Sequence, residues 1–437
     1  MVVQTDYSNQ IDSLLSPFKR FGVNLGLSRI KKLLVELGNP QDQVPIIHVA
    51  GTNGKGSVCA YLSSILTEAG YRVGRYTSPH LVDWTERIQL NGQAIAKSTL
   101  AKLLQEINSA IDPDRESPTQ FEVITAAAWL YFAQSQVDIA VIEVGLGGRL
   151  DATNVKDDAL VSVITSLSKE HWQRLGPTVA DIAGEKAGVI KPNCPVVIGQ
   201  LPSSAKAVVM AKAAALNAPV TLVAPATEMK IAATNGAKWA KYQDLEYPLP
   251  LLGEVQLSNS AIAIAALKNL QHQGWQIPEL AIQTGMNKTR WQGRLQWTRW
   301  QNRPLLIDGA HNPAAATALR QYVDTLDRSV TWVMGMLSTK DHEDIFEVLL
   351  KPADELHLVP VPGHSSANPQ ELAKLGLQVC PGLSHCQTHE DIFQALDVVT
   401  ESSKNSNSER AIVLCGSLYL IGHLFQHSNI FHQNLLN

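Results

Sequence analysis

The sequence predicts an α/β fold in two domains, each built on a mostly parallel sheet. Its 437 residues exceed what one ordinary hydrophobic core organises. Short runs rich in Val and Ile alternate with helical stretches, the pattern of a sheet covered by helices on both faces. After Trp291 that alternation begins a second series. The boundary is therefore expected within residues 288–297, dividing the chain into 1–293 and a smaller, Rossmann-like 294–437.

In chain order, residues 44–49 read as a buried strand, 57–69 as a helix and 71–76 as a second strand. Residues 137–144, 160–165 and 195–199 continue the strand series, and 121–134 has the length and Ala content of a helix buried against a sheet. The stretch 203–250 is less regular and reads as a helix plus a small sheet. In the second series 304–308, 330–334, 355–360 and 411–415 are strands, with 341–350 and 390–399 helical between them. Residues 402–408 are polar and read as a surface loop. Ligands of such sheets gather outside the carboxyl ends of strands, so the loops after these runs are the places to search.

Composition narrows the function classes. The hydrophobic fraction of 45% and charged fraction of 17% suit a soluble globular protein. A net charge of −4 with no run of Lys or Arg gives no footprint of a nucleic-acid partner. The five cysteines are scattered and odd in number, which suits a reducing compartment. Cys380 and Cys386 lie near His385 and His389, in no common zinc spacing. No signal peptide and no apolar run of the ~20 residues a membrane span needs are visible, so a cytoplasmic protein is expected; a monomer is expected as well, though nothing in the sequence derives it.

The segment His48-Val-Ala-Gly-Thr-Asn-Gly-Lys-Gly-Ser57 follows a strand and opens a helix. Glycines there let backbone N–H groups converge on an anion, and the helix N-terminus adds partial positive charge. Lys55 can reach outer phosphates and Ser57 can offer a hydroxyl to Mg²⁺. The usual G-x-x-x-x-G-K-[ST] pattern is not met, because Val49 replaces the first Gly and Gly56 separates Lys55 from Ser57. Glu143 ends a hydrophobic strand, where a carboxylate needs exposure or a cation.

This loop resembles that of folylpolyglutamate synthases and dihydrofolate synthases, within the wider Mur ligase group. The resemblance runs from Asn24 to Gly422 and implies a Mur-ligase-like architecture with a P-loop ATPase domain first. It implies ATP contacts at Asn53, Gly54, Lys55, Gly56, Ser57, Asn259, Arg294 and Asp308. It implies Mg²⁺ ligands at Ser57, Ser78, Glu143 and His171, with Glu170 where relatives usually carry Asp. Lys186 matches a lysine carbamylated in relatives, and with Lys55 and His311 it is a candidate catalytic residue. Pteroate contacts are implied at Thr119, Gln120, Phe121 and Glu122, and at Leu150, Asp151 and Ala152. The segment from Ser78 through Glu86-Arg-Ile88 to Asn91-Gly92 resembles a mobile region near the pterin, and Gln292 stands where relatives have Pro.

Other readings of single residues stay open. Ser78 suits a turn before Pro79, Asn259 suits a helix N-cap, and Glu122 suits a first helical turn. Lys186 suits a surface lysine paired with a nearby Glu. The implied reaction joins L-glutamate to dihydropteroate or a tetrahydrofolate glutamate, with ATP forming an acyl phosphate. A Mur-type ligase for a cell-wall precursor, a P-loop kinase and a nucleotide-binding scaffold are the rivals.

Overall fold

A computed structural model describes residues 6–22, 24–229, 238–405 and 410–428. It divides into two compact units, Met1–Pro250 with Gln256–Arg290, and Leu251–Val255 with Trp291–Asn437. The short stretch 251–255 thus belongs with the second unit, although the sequence reading put it in the first.

The first unit holds an eight-stranded sheet of β1 (Ile46–Ala50), β2 (Val73–Tyr76), β3 (Ile88–Leu90), β4 (Gln93–Ala94), β5 (Ile139–Glu143), β6 (Val161–Ile164), β7 (Val196–Ile198) and β8 (Val220–Leu222). The spatial order is β4-β3-β2-β5-β1-β6-β7-β8, so β1 lies in the interior. All five residues of β1 and of β5 are buried, as expected of parallel strands covered on both faces. Only β2-β3 and β3-β4 pair antiparallel. Between β3 and β4, Asn91 and Gly92 take positive φ of 47° and 76°, a tight hairpin turn. Helix Gln120–Gln134 carries Trp129 and Phe132 into the same core as Ile46, Tyr76 and Ile142. The described residues within 203–250 form helix Ser203–Ala215, β8 and an antiparallel sheet of β9 (Thr227–Met229), β10 (Trp239–Tyr242) and β11 (Leu245–Pro248).

The second unit holds β12 (Gln296–Trp300), β13 (Arg303–Ile307), β14 (Val330–Met334), β15 (Glu355–Leu358), β16 (His385–Thr388) and β17 (Ala411–Cys415). Their order is β12-β13-β17-β14-β15-β16, parallel except for the β12-β13 hairpin. Its core gathers Trp332, Met334, Phe346, Leu356 and Val413. The expected loop at 402–408 is corrected in part, because helix Ile392–Asn405 runs through its first half; 406–408 lie outside the described residues.

Candidate active site

The glycine loop leaves β1 at its carboxyl end and enters helix Lys55–Glu68. A Cβ on Gly51 would lie 1.9 Å from Thr165 Oγ1, and one on Gly54 would lie 2.3 Å from Asn259 Oδ1. Gly54 also has a φ of +84°, so no other residue fits there without strain. The segment after β6 buttresses the loop: Thr165 Oγ1 donates to Asn53 O at 2.6 Å, and Thr52 N donates to Ser166 O at 2.7 Å. Lys55 Nζ donates to Thr52 O at 3.1 Å. Gly56, the residue that breaks the common pattern, is the second residue of the helix, so the extra position is absorbed as helical turn. Ser57 follows as a buried residue whose hydroxyl accepts from Gln256 Nε2 at 3.4 Å.

Asn259 lies inside helix Val255–His272, so the N-cap reading is corrected. Its Nδ2 donates to Gln256 Oε1 at 3.1 Å while its Oδ1 faces Gly54. Gln256, which no motif singled out, therefore ties Asn259 to Ser57. The only signal for it in the sequence was its place one residue before Leu257-Ser-Asn.

Beside β1, in register with Val49, Glu143 ends β5 and is buried. Its Oε2 accepts from Ser78 N at 3.2 Å, so the fold brings these two candidate ligands together. His171 takes a φ of +52° at the start of the short helix Trp172–Leu175; its side chain is 47% exposed, with Nε2 4.0 Å from Glu170 Oε1. Among the described residues no three of His, Cys, Asp and Glu group as a metal cage. One carboxylate with serine hydroxyls instead fits Mg²⁺, which keeps waters and shares phosphate oxygens.

Lys186 is not a surface lysine. It ends helix Val179–Lys186, is buried, and donates from Nζ to Gly51 O at 2.7 Å. Burial, and after it the charge of Lys55, push its amine down to about 7 against the pull of Glu170 and Asp151.

The two implied pteroate segments are linked through residues 24–29 and Gly145. Thr119 and Glu122 form a reciprocal capping box at the start of helix Gln120–Gln134. A Cβ on Gly145 would lie 2.4 Å from the Phe121 ring, which seats that helix start against the loop after β5. Gln120 Nε2 reaches Leu15 O at 3.5 Å. Arg29, unremarked in the sequence, clamps the region: its guanidinium reaches Glu122 Oε2 at 3.1 Å, Glu116 Oε1 at 3.0 Å and Asn24 O at 2.6 Å. Gly26 N donates to Leu150 O at 3.3 Å, and Ala152 is buried beside Asp151. Glu122 is thus more than a first-turn acid, since it is buried in an ion pair. The segment after Ser78 is tied to itself: Glu86 accepts from Val82 N at 2.7 Å and Asp83 N at 2.6 Å, and Arg87 Nε donates to His80 Nδ1 at 2.9 Å.

In the second unit, buried Asp308 follows β13 and accepts from Leu295 N and Ala310 N, each at 2.8 Å. Burial raises its carboxyl, against the opposing charge of Arg294. Arg294 lies over Gly309, where a Cβ would fall 2.1 Å from Nη1. His311 Nδ1 sits 2.7 Å from Gly309 O, and Asn312 caps helix Pro313–Asp324. The Asp308, Arg294 and His311 side chains therefore form one cluster at a strand's carboxyl end. His389, by contrast, pairs through its Nε2 with Nδ1 of buried His357 at 2.9 Å.

Comparison with known proteins fits this geometry. Residues 49–267 match the Mur ligase middle domain, and residues 293–427 match the C-terminal domain of dihydrofolate synthetase. The chain is 36% identical to the dihydrofolate synthetase of Saccharomyces cerevisiae, over 94% of this chain and 100% of that one. It is 33% identical to the dihydrofolate synthase/folylpolyglutamate synthase of Bacillus subtilis, over 92% and 94%. The Mycobacterium tuberculosis folylpolyglutamate synthase complexed with ADP and AMPPCP superimposes with a TM-score of 0.85 at 31% identity, covering 97% of this chain and 99% of that one. The Escherichia coli FolC in complex with DHPP and ADP does so with a TM-score of 0.81 at 30% identity, covering 96% and 97%. The chain belongs to the dihydrofolate synthase/folylpolyglutamate synthase family of Mur-type ligases.

Proposed function

We propose that this protein is an ATP-dependent ligase that joins L-glutamate to 7,8-dihydropteroate, and to tetrahydrofolate already carrying glutamate, through an acyl phosphate. One observation carries the reading. A glycine phosphate loop, the buried Lys186 and the buried Glu143 cluster at the carboxyl ends of β1 and β5, next to the joined 119–122 and 145–152 segments. Relatives named for dihydrofolate and folylpolyglutamate synthesis, and solved relatives holding ADP, support ATP as phosphoryl donor.

A carboxylate oxygen of the pterin substrate attacks the γ-phosphorus, the bond to the β-bridging oxygen breaks, and ADP leaves. The glutamate amine then attacks the acyl carbon, phosphate departs with one former carboxylate oxygen, and the amine proton passes to solvent. Positioning and charge neutralisation do most of the work in such transfers, so no enzyme nucleophile is required. Residues 53–57 would cradle the phosphates with Lys55 on the outer ones, while Asn259, Arg294 and Asp308 serve the nucleotide and His311 clamps the reacting groups. Mg²⁺, when bound, neutralises charge on the transferring group; Ser57, Ser78, Glu143 and His171 would hold it. A neutral Lys186 amine can add CO₂ to become a carbamate, an anion beside the loop. Thr119, Gln120, Phe121, Glu122, Leu150, Asp151 and Ala152 would line the pterin side.

Purified protein given ATP, labelled glutamate and each pterin in turn tests this. Labelled pterin product and ADP, each requiring both substrates, are expected. No incorporation with any pterin would sink the reading, and ADP formation indifferent to glutamate would point to a kinase.

A further inference from the structure

His48 opens the phosphate-loop motif, yet its side chain does not serve the loop. It is completely buried in β1, and its Nε2 lies 2.9 Å from Thr153 Oγ1, 105 residues away. Thr153 Oγ1 donates to Asp151 Oδ1 at 2.6 Å, and Thr153 N donates to the same oxygen at 3.0 Å. The other carboxylate oxygen accepts from Leu146 N at 2.8 Å.

These bonds fix the proton positions. The threonine hydroxyl has one hydrogen and spends it on Asp151, so its oxygen can only accept from His48. His48 must therefore carry its proton on Nε2. Nδ1 is left bare; it is buried without a hydrogen-bond partner, where an added proton would find no acceptor. Burial, and after it the charge of Lys191, hold the imidazole neutral with a pKa pushed down to about 3. The result is a one-way chain, His48 to Thr153 to Asp151. It ends on a buried carboxylate whose bonds to residues 146 and 153 hold together both ends of a turn.

That turn carries Leu150, Asp151 and Ala152, and its neighbour Gly145 packs on Phe121. We propose that His48 is a positioning residue for the pterin substrate: acting through Thr153, it orients Asp151 and sets the shape of the loop after β5. The inference rests on the ligase reading above. It assigns a residue of the phosphate-loop motif to the other substrate.

The test is steady-state kinetics of the full chain with dihydropteroate, ATP and glutamate. His48→Phe fills the space but cannot donate, and Thr153→Val keeps the shape without the hydroxyl. Each is expected to raise the KM for dihydropteroate about tenfold, the scale of one lost buried hydrogen bond to a charged chain, with the KM for ATP within about twofold. His48→Gln, whose amide Nε2 can donate, should recover most of the loss. The combined His48→Phe/Thr153→Val variant should be no worse than the worse single one, because both break the same chain. If His48→Phe does not fold, Thr153→Val against Thr153→Ser carries the same comparison. Equal rises in both KM values, or an unchanged dihydropteroate KM, would overturn the relay while leaving the ligase reading intact. A wild-type protein that uses no pterin would overturn the ligase reading and the relay with it.

Discussion

At neutral pH Lys186 carries an amine that burial has brought down to about 7, so a large fraction of it is unprotonated and able to react with CO₂. Labelled bicarbonate should give a carbamate resonance in NMR that Lys186→Arg lacks, and Lys186→Ala should cut turnover by about a hundredfold or more. The same shift has a stability consequence. Below about pH 7 both folded and unfolded states bind the proton and the burial penalty is complete; between about 7 and 10.5 only the unfolded state binds it, so stability should rise with pH across that window. The sign is the same, in a lower window, for His48 and His357, each pushed down to about 3 from 6.5. Stability should fall as pH drops below about 6.5, because the unfolded chain takes up protons that the folded chain refuses. In urea titrations, wild type should lose ground to His48→Phe by up to roughly 1.4 kcal/mol per pH unit in that range. A constant difference between the two would contradict the buried neutral imidazole.

Among the elements, the glycine loop and the start of helix Gln120–Gln134 bear the site. Gly54→Ala drives a methyl group into Asn259 at a φ of +84°, so ATP binding measured by calorimetry should be lost while the dihydropteroate side keeps its structure. Retained ATP affinity would mean the loop adopts another shape. Arg29→Met leaves Glu122 buried and unpaired and should cost roughly 3–5 kcal/mol, with the paired Arg29→Met/Glu122→Leu change recovering much of it. Much at this scale was legible in the sequence. The Val- and Ile-rich runs fell on β1, β5, β6 and β7, since a strand buried on both faces is mostly apolar; His48, Glu143 and Ser162 are the buried polar residues within them. Polar edge strands escaped notice: β16 is His-Cys-Gln-Thr, half exposed along its length. The β12-β13 hairpin turns on Gln301 and Asn302 at φ of 43° and 68°, without the glycine that marks such turns. What contiguous motifs could not reveal was pairing across long separations, as between Arg29 and Glu122 or His48 and Thr153.

For the whole molecule, two units with separate cores each bring one cluster to the carboxyl end of a sheet: the glycine loop with Glu143 and Lys186 in one, and Asp308 with Arg294 and His311 in the other. The motif strings made the parts of both clusters visible in the sequence, because each part is a short contiguous stretch, while their assembly across the chain came only with the fold. The division itself was less legible, since Leu251–Val255 joins a unit whose main body begins forty residues later, at Trp291. Asp308→Ala should weaken ATP binding about tenfold or more without altering the dihydropteroate KM by more than about twofold. In the proposed reaction ATP activates a substrate carboxylate as an acyl phosphate. Dihydropteroate carrying a heavy-oxygen label in its carboxylate should deliver one labelled oxygen to the released phosphate for each amide formed. Unlabelled phosphate, or release of pyrophosphate and AMP in place of ADP, would contradict it.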